Sequence, residues 1–358
     1  MTAAPPRRKA RLPDLDTLAD RVAAGERRAL ARAITLIEST RPEDRALSTA
    51  LLQKLSGLKR QALRIGLSGT PGVGKSTFIE AFGIALIDAG LKVAVLAVDP
   101  SSTRTGGSIL GDKTRMERLS RAPEAFIRPS PSLSHLGGVS RRTREAVALV
   151  EAAGFDVVLI ETVGVGQSET MVAEMSDLFV LLLAPAGGDE LQGVKRGIME
   201  TADLILVNKA DGDLKSTATR TCADYAGALR LLRKRPEDPE GFPKALMVSA
   251  VTGLGLEQAW SEMQALAKWR QAEGHWDARR AAQARGWFEA EVRAGLLARL
   301  TEDAATRTAM DRLGADVAAG KLTASQAAEN ILETLGAAPA LETDPEGAPA
   351  GDTPEKTT

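Results

Sequence analysis

One segment constrains the fold of this 358-residue chain more than any other feature: Gly69-Thr70-Pro71-Gly72-Val73-Gly74-Lys75-Ser76. It follows an apolar run at 63–68, so a strand is predicted to lead into a glycine-rich turn that opens a helix from about residue 74. Glycine suits this spacing because a Cβ would keep the backbone N–H groups from wrapping a phosphate. Lys75 is predicted to reach the β- and γ-phosphate oxygens, and Ser76 to offer a hydroxyl to Mg²⁺. The sequence thus predicts a phosphate-binding loop that extends to Thr77.

A second motif selects the nucleotide base. Asn208-Lys209-Ala210-Asp211 follows the apolar run 204–207. The aspartate can accept hydrogen bonds from N1–H and N2–H₂ of guanine, whereas adenine would leave the carboxylate unpaired. The run 245–248 ends in Ser249-Ala250, where GTPases commonly place a backbone N–H against guanine O6. Together these motifs predict GTP and GDP as ligands, rather than ATP.

A third motif, Glu161-Thr162-Val163-Gly164, follows the strand-like run 155–160. GTPases commonly carry D-x-x-G here, where the carboxylate holds Mg²⁺ through water and the glycine N–H contacts the γ-phosphate. The longer Glu161 still reaches the water shell that Mg²⁺ retains; the structural alternative is a glutamate that caps the next turn. Val165 stands where efficient GTPases have a glutamine that orients the attacking water. We therefore expect slow hydrolysis by the chain alone and faster hydrolysis with a partner.

The order of apolar runs predicts an α/β fold. Strand-like runs alternate with helical stretches, which is typical of a mostly parallel central sheet with helices on both faces. The motifs lie near strand ends, where open α/β sheets bind ligands. The predicted strands are 63–68, 93–98, 155–160, 178–183, 204–207 and 245–248. The predicted organisation is a disordered tail at 1–11, an N-terminal helical cover at 12–60, a GTPase domain at 61–267, a C-terminal helical dimerisation segment at 268–336 and a disordered tail at 337–358.

Composition narrows the class of protein. The 46 basic and 47 acidic residues give a net charge of −1, so bulk electrostatics favour neither nucleic acid nor a membrane surface. A single cysteine, Cys222, excludes an intramolecular disulfide framework, and two histidines make a Cys/His metal cage unfavourable. No apolar run reaches the roughly 18 residues that span a bilayer. We expect a cytoplasmic enzyme without a nucleic-acid or membrane partner.

Three longer blocks resemble the MeaB/ArgK family of methylmalonyl-CoA mutase-associated GTPases. They are the stretches 98–116, 161–169 and 188–193. The resemblance covers about residues 12–335. It implies a homodimeric GTPase of the SIMIBI class that escorts an adenosylcobalamin-dependent acyl-CoA mutase, gates cofactor loading, and protects or reactivates the mutase.

The resemblance also assigns roles to residues. It implies that Asp99, Asp112 and Glu161 surround Mg²⁺ and the γ-phosphate, and that the stretch Ala184 to Lys195 is an additional switch that reports the nucleotide state to the mutase. From the residues alone, Asp99 also fits an N-cap in a turn and Asp112 a solvated loop charge.

Two other functions stay open. A GTP-dependent metallochaperone shares the glutamate at the third motif but usually has a His-rich or Cys-pair metal site, which this sequence does not show. A P-loop small-molecule kinase shares the phosphate loop, but kinases seldom need the guanine-binding motif.

Overall fold

The computed structural model describes residues 14–39, 41–98, 116–128, 136–162, 168–185 and 196–336. A seven-stranded sheet with the order β3-β2-β4-β1-β5-β6-β7 forms its centre, and each neighbouring pair runs parallel. The α/β prediction is therefore confirmed. The strands are β1 Leu63–Gly69, β2 Val93–Val98, β3 Ala125–Arg128, β4 Val157–Thr162, β5 Leu178–Leu183, β6 Leu204–Val207 and β7 Lys244–Met247.

Helices account for most of the remaining described residues. The first three precede the sheet in the chain, and the last four follow it. They are α1 Leu15–Ala23, α2 Arg27–Glu38, α3 Pro42–Ser56, α4 Lys75–Asp88, α5 Glu117–Arg121, α6 Leu136–Ala152, α7 Ser168–Met175, α8 Arg196–Thr201, α9 Lys215–Arg230, α10 Leu256–Ala272, α11 His275–Glu302, α12 Ala304–Ala318 and α13 Ala324–Gly336. None of the described helices is long and apolar enough to cross a bilayer.

Two strand predictions need correction. The short edge strand β3 was not predicted, because four residues give almost no periodic signal and its position is set by pairing with β2. Strand β4 ends at Thr162 rather than at 160, since pairing with β2 continues to its last residue. Glu161 therefore lies inside the strand, not beyond it.

The strands place alternate side chains in two hydrophobic cores. In β2, Ala94, Leu96 and Val98 face one core, while Val93 and Val95 face the other. Helices α1, α2, α3, α6 and α7 contribute to the first core, and α4, α5 and α10 to the second. Both faces of the sheet are covered, which explains strands that are apolar at nearly every position.

Three aspartates lie at the amino edge of the sheet, which is the side where the N-terminal ends of its parallel strands meet. Asp156, Asp177 and Asp203 each stand directly before a strand, β4, β5 and β6 respectively. Each accepts a backbone N–H beside a neighbouring strand: Lys92 N at 2.8 Å, Arg64 N at 2.8 Å and Phe179 N at 2.7 Å. These bonds satisfy backbone donors at the strand ends.

Arginines from the chain's later part neutralise two of these aspartates, Asp203 and Asp177. Arg270 of α10 donates to Asp203 at 2.6 Å and to Asp238 at 2.7 Å, and Arg235 also pairs with both carboxylates. Burial alone would raise the pKa of Asp203, but the charges of Arg270 and Arg235 outweigh it and hold that pKa below its usual value. The amino edge is therefore a closed ionic network in which each buried charge has a partner.

The start of α11 attaches to the same edge. Arg280 donates to both carboxylate oxygens of Asp177, at 2.9 and 2.6 Å, and to the carbonyl oxygen of Ala62 at 2.7 Å, directly before β1. The indole of Trp276 donates to Gln61 Oε1 at 3.4 Å, and the Arg280 guanidinium lies 4.5 Å from the Trp276 ring centroid.

The chain divides into two compact units, Met1–Trp287 and Phe288–Thr358. The predicted N-terminal cover thus shares a unit with the sheet. In the second unit, α12 and α13 pack through Leu313, Ala327 and Ile331. The part of α11 that belongs to the second unit exposes three large apolar side chains, spaced four residues apart. They are Phe288, Val292 and Leu296.

Candidate active site

The phosphate loop joins β1 to α4. Gly72 and Gly74 have φ angles of +81° and +87°, in the left-handed region that favours glycine. Gly74 caps α4, so the first helical residue is Lys75. A Cβ at Gly74 would lie 2.9 Å from Asn208 Nδ2. The loop therefore requires glycine both for its backbone angle and for its contact with the base motif.

Lys75 lies close to two neutral oxygens. Its Nζ is 3.2 Å from Thr162 Oγ1 and 3.5 Å from the Gly69 carbonyl oxygen. Burial lowers the pKa of Lys75, and the charges of Glu161 and Glu169 oppose this shift only in part. An incoming phosphate would supply the negative charge that this ammonium lacks.

Thr162 is a site residue that the motif analysis missed. It is fully buried at the end of β4, and its hydroxyl contacts both Lys75 Nζ and, at 3.3 Å, Ser68 Oγ. The sequence signal that could have identified Thr162 was its place directly after Glu161. Thr162 thus positions the lysine ammonium across the gap between β4 and the phosphate loop.

Glu161 is buried near the carboxyl end of β4, with 3 % of its surface exposed. It is in register with Leu67 of β1 and Ala97 of β2, so its strand is held on both sides. Its carboxylate and the hydroxyl of Ser76, in the first turn of α4, are the oxygen donors that Mg²⁺ prefers. Asp99, Asp112 and Gly164 lie outside the described residues.

The guanine motif is bonded directly to the phosphate loop. Asn208 Nδ2 donates to the Val73 carbonyl at 3.0 Å, and Lys209 Nζ donates to the Gly72 carbonyl at 2.7 Å. Lys209 itself has a φ of +58°, which costs backbone energy in a residue other than glycine. These contacts fix the distance between the candidate base-binding motif and the phosphate loop.

Asp211 carries an unsatisfied acceptor. Its Oδ1 is buried and has no hydrogen-bond partner within the described ranges, although such atoms are rarely left unpaired in native proteins. Guanine presents two adjacent donors, N1–H and N2–H₂, that suit a carboxylate. The arrangement therefore fits a guanine nucleotide.

Ser249 and Ala250 support the motif from the next strand end. The Ala250 N–H donates to Asn208 Oδ1 at 3.1 Å, and the Ser249 N–H donates to the Leu254 carbonyl at 2.9 Å. Both backbone donors are engaged inside the protein. In this structure Ala250 holds Asn208 in place, and a guanine O6 contact by Ala250 would have to share or replace that bond.

Comparison with known proteins places these features in a family context. Residues 30–305 match the family model described as Methylmalonyl Co-A mutase-associated GTPase MeaB. A putative GTPase of Caulobacter vibrioides is 52% identical over 90% of this chain and 98% of its own length. The mouse methylmalonic aciduria type A homolog, mitochondrial, is 46% identical over 90% of this chain and 79% of its own. A crystal structure titled LAO/AO transport system kinase superposes with a TM-score of 0.70 at 37% identity, over 91% of this chain and 100% of that chain.

Proposed function

Because the chain belongs to the MeaB family of methylmalonyl Co-A mutase-associated GTPases, we propose that its GTPase cycle serves a methylmalonyl-CoA mutase or a related adenosylcobalamin-dependent acyl-CoA mutase. The chain is a GTPase: it binds GTP and hydrolyses it to GDP and phosphate. The proposed role is that of a chaperone that gates cofactor loading and protects or reactivates the mutase. The family match over residues 30–305 carries the choice of partner.

The described residues support a division of labour in hydrolysis. Asp211 and Asn208 select and orient guanine, and the glycines at 69, 72 and 74 let backbone N–H groups approach the phosphates. Lys75 holds its proton in the presence of phosphate and neutralises charge that develops on the β- and γ-phosphate oxygens.

A magnesium ion fits the donor set. We propose that Ser76 and Glu161 hold it, together with Asp99 and Asp112 of the family block. When bound, Mg²⁺ would neutralise phosphate charge during transfer to water.

The mutase proposal is tested by reconstitution. The chain is mixed with an adenosylcobalamin-dependent methylmalonyl-CoA mutase, and GTP turnover is measured with and without the mutase. We expect a stable complex, faster GTP hydrolysis in it, and nucleotide-dependent cofactor loading. An unchanged hydrolysis rate and no complex at micromolar concentrations would contradict the proposal, while GTP hydrolysis by the chain alone would still stand.

The stretch Ala184 to Lys195 provides a sharper arm of that experiment, although residues 186–195 lie outside the described residues. We propose that Gln192→Ala and Lys195→Ala keep the intrinsic GTPase rate within a few-fold of wild type and remove most of the acceleration by the mutase. Damage to the nucleotide site would lower both rates together. Full acceleration in both variants would remove this stretch from the interface.

We also propose that the chain works in the cytoplasm as a homodimer. Phe288, Val292 and Leu296 form an exposed apolar stripe in the second unit, and a second copy would cover it. Phe288→Ser with Leu296→Ser is expected to yield monomers in sedimentation experiments. Leu231→Ser is the matched control, since Leu231 is also highly exposed but lies in the first unit. A wild-type chain that sediments as a monomer would contradict the dimer.

A further inference from the structure

A group of buried arginines lies at the C-terminal end of α2. Arg128, the last residue of the edge strand β3, is only 4 % exposed, and its Nε pairs with Glu38. Its other two nitrogens, Nη1 and Nη2, are buried and have no hydrogen-bond partner among the described residues. Strands β2 and β4 separate β3 from β1, which carries the phosphate loop.

A second guanidinium converges on the same place. Arg142 of α6 is 5 % exposed, and its Nη2 donates to the Ser39 carbonyl at 3.3 Å. Its Nε is buried and has no hydrogen-bond partner in the part of the chain that the structure describes. Because Glu38 and Ser39 are consecutive, the groups that bind them are neighbours. The Nε of the preceding Arg141 is also buried; it makes no hydrogen bond within the described residues and lies 3.6 Å from Glu145 Oε1.

The carboxylates nearby do not balance these charges. Glu145 is shared by Arg45, at 3.5 Å, and Arg141, at 3.6 Å. Glu38 is engaged by Arg128, and Asp44 accepts the Ser39 hydroxyl at 2.6 Å. Within the part of the chain that the structure describes, no carboxylate pairs with Arg142.

The electrostatics agree with this shortage. Burial lowers the pKa of Arg142, and the positive charges of Arg141 and Arg128 lower it further against the opposing effect of Glu38 and Glu145. A buried cation in such surroundings gains free energy from any anion that reaches it.

A purely structural role explains only some of the contacts. Cations at the C-terminal end of a helix stabilise its last carbonyl groups, which accounts for the bond from Arg142 to Ser39 and for the pair between Arg128 and Glu38. It leaves three buried nitrogens, two on Arg128 and one on Arg142, without acceptors, and each such group costs free energy.

We propose that Arg128 and Arg142 form a binding site for a tetrahedral oxyanion, either a phosphate ion or the phosphate group of a small molecule. A phosphate accepts several hydrogen bonds at once and suits the planar fork of a guanidinium. The anion would use the nitrogens that α2 leaves free. This site is separate from the nucleotide site and does not depend on the proposed role with a mutase.

The test is a calorimetric titration with inorganic phosphate. The full chain is first saturated with a non-hydrolysable GTP analogue and Mg²⁺, because an empty phosphate loop would itself bind phosphate. The variants are Arg142→Lys and Arg128→Lys, which keep the charge but lose the fork. Arg233→Lys, at an exposed arginine, is the matched control. Circular dichroism and thermal unfolding confirm that each variant folds.

Wild type and Arg233→Lys are expected to bind one phosphate per chain, with affinity reduced about tenfold or more in Arg142→Lys. If Arg128→Lys fails to fold, broadening of the phosphate line in phosphorus NMR spectra provides a second readout for wild type and Arg142→Lys. Glycerol phosphate is titrated in parallel: binding equal to that of phosphate identifies a phosphate group of a larger molecule, and binding of phosphate alone identifies the free ion. The absence of saturable binding by the wild type, or equal affinity in wild type and Arg142→Lys, would overturn the proposal.

Discussion

The two edges of the same sheet treat buried charge in opposite ways. At the amino edge, Asp177 and Asp203 are bonded to backbone N–H groups and paired with Arg280 and Arg270. At the carboxyl edge, Lys75 is half-buried beside neutral oxygens, and Asp211 Oδ1 has no donor among the residues that the structure describes. Charges that are paired within the protein stabilise the fold, whereas charges and polar atoms without such partners are available to bind a ligand. We therefore expect substitutions at the first edge to change stability and substitutions at the second to change binding and turnover.

The largest effect is expected at the amino edge. Arg270→Met leaves the buried Asp203 with only part of its compensation, which should lower the free energy of unfolding by about 3 to 5 kcal/mol. GTP affinity of the folded molecules should stay unchanged. Urea denaturation and calorimetry measure the two quantities, with the exposed Arg230→Met as control. A tenfold loss of GTP affinity at full stability would reverse the comparison.

At the carboxyl edge, Lys75→Ala is expected to raise the activation free energy of GTP hydrolysis by about 3 kcal/mol or more. Turnover should therefore fall more than about a hundredfold. Stability should be equal or higher, since a desolvated charge is removed. Turnover assays and thermal unfolding check this, and the exposed Lys268→Ala should behave as wild type. Retained hydrolysis with a normal circular dichroism spectrum would refute the role of the lysine.

Asp211→Asn should weaken GTP binding by about ten- to a hundredfold, because a charge-assisted hydrogen bond to guanine is lost. The new amide donor should pair with the 2-oxo group of xanthine, so xanthosine triphosphate should bind better than it does to wild type. Calorimetry with both nucleotides measures the switch. Asp213→Asn, an exposed aspartate two residues away, is the control. Equal affinity of wild type for ATP and GTP would show that Asp211 does not read the base.

The smallest effects are expected from pH, with the same sign but in different pH ranges at the two edges: stability should rise with pH in alkaline solution for Lys75 and in acid for Asp203. The pKa of Lys75 is lowered from 10.5, so the unfolded state binds more protons in alkaline solution and stability should rise with pH there, while GTP affinity falls as the ammonium is lost. The pKa of Asp203 is lowered from 3.8, so its contribution is present above that pH and is lost as the pH falls through the lower folded value.

Unfolding measured across both ranges, with Lys75→Met and Asp203→Asn as references, checks the signs. A wild-type alkaline profile identical to that of Lys75→Met would contradict the shift assigned to the lysine.

The sequence predicted the carboxyl edge better than the amino edge. Ligand contacts at the carboxyl edge require fixed residue types at fixed spacing, so Lys75 and Asp211 can be recognised directly from sequence motifs. The partners of Asp203 are an arginine 32 residues away and another 67 residues away, and nothing local marks them. Thr162 was missed because its role depends on the depth at which β4 ends, and β3 was missed because pairing with a neighbour defines it.

The bond from Arg280 to the Ala62 carbonyl also has a consequence for synthesis. Its two residues are 218 positions apart, so at ordinary translation rates Arg280 follows the start of β1 by roughly 10 to 45 s. During that time the strand that leads to the phosphate loop has neither Arg280 at its first carbonyl nor Trp276 beside Gln61. A nascent chain that stops before residue 276 therefore holds every nucleotide motif but lacks the contacts that close the start of its central strand, and such incomplete sheets are prone to aggregate.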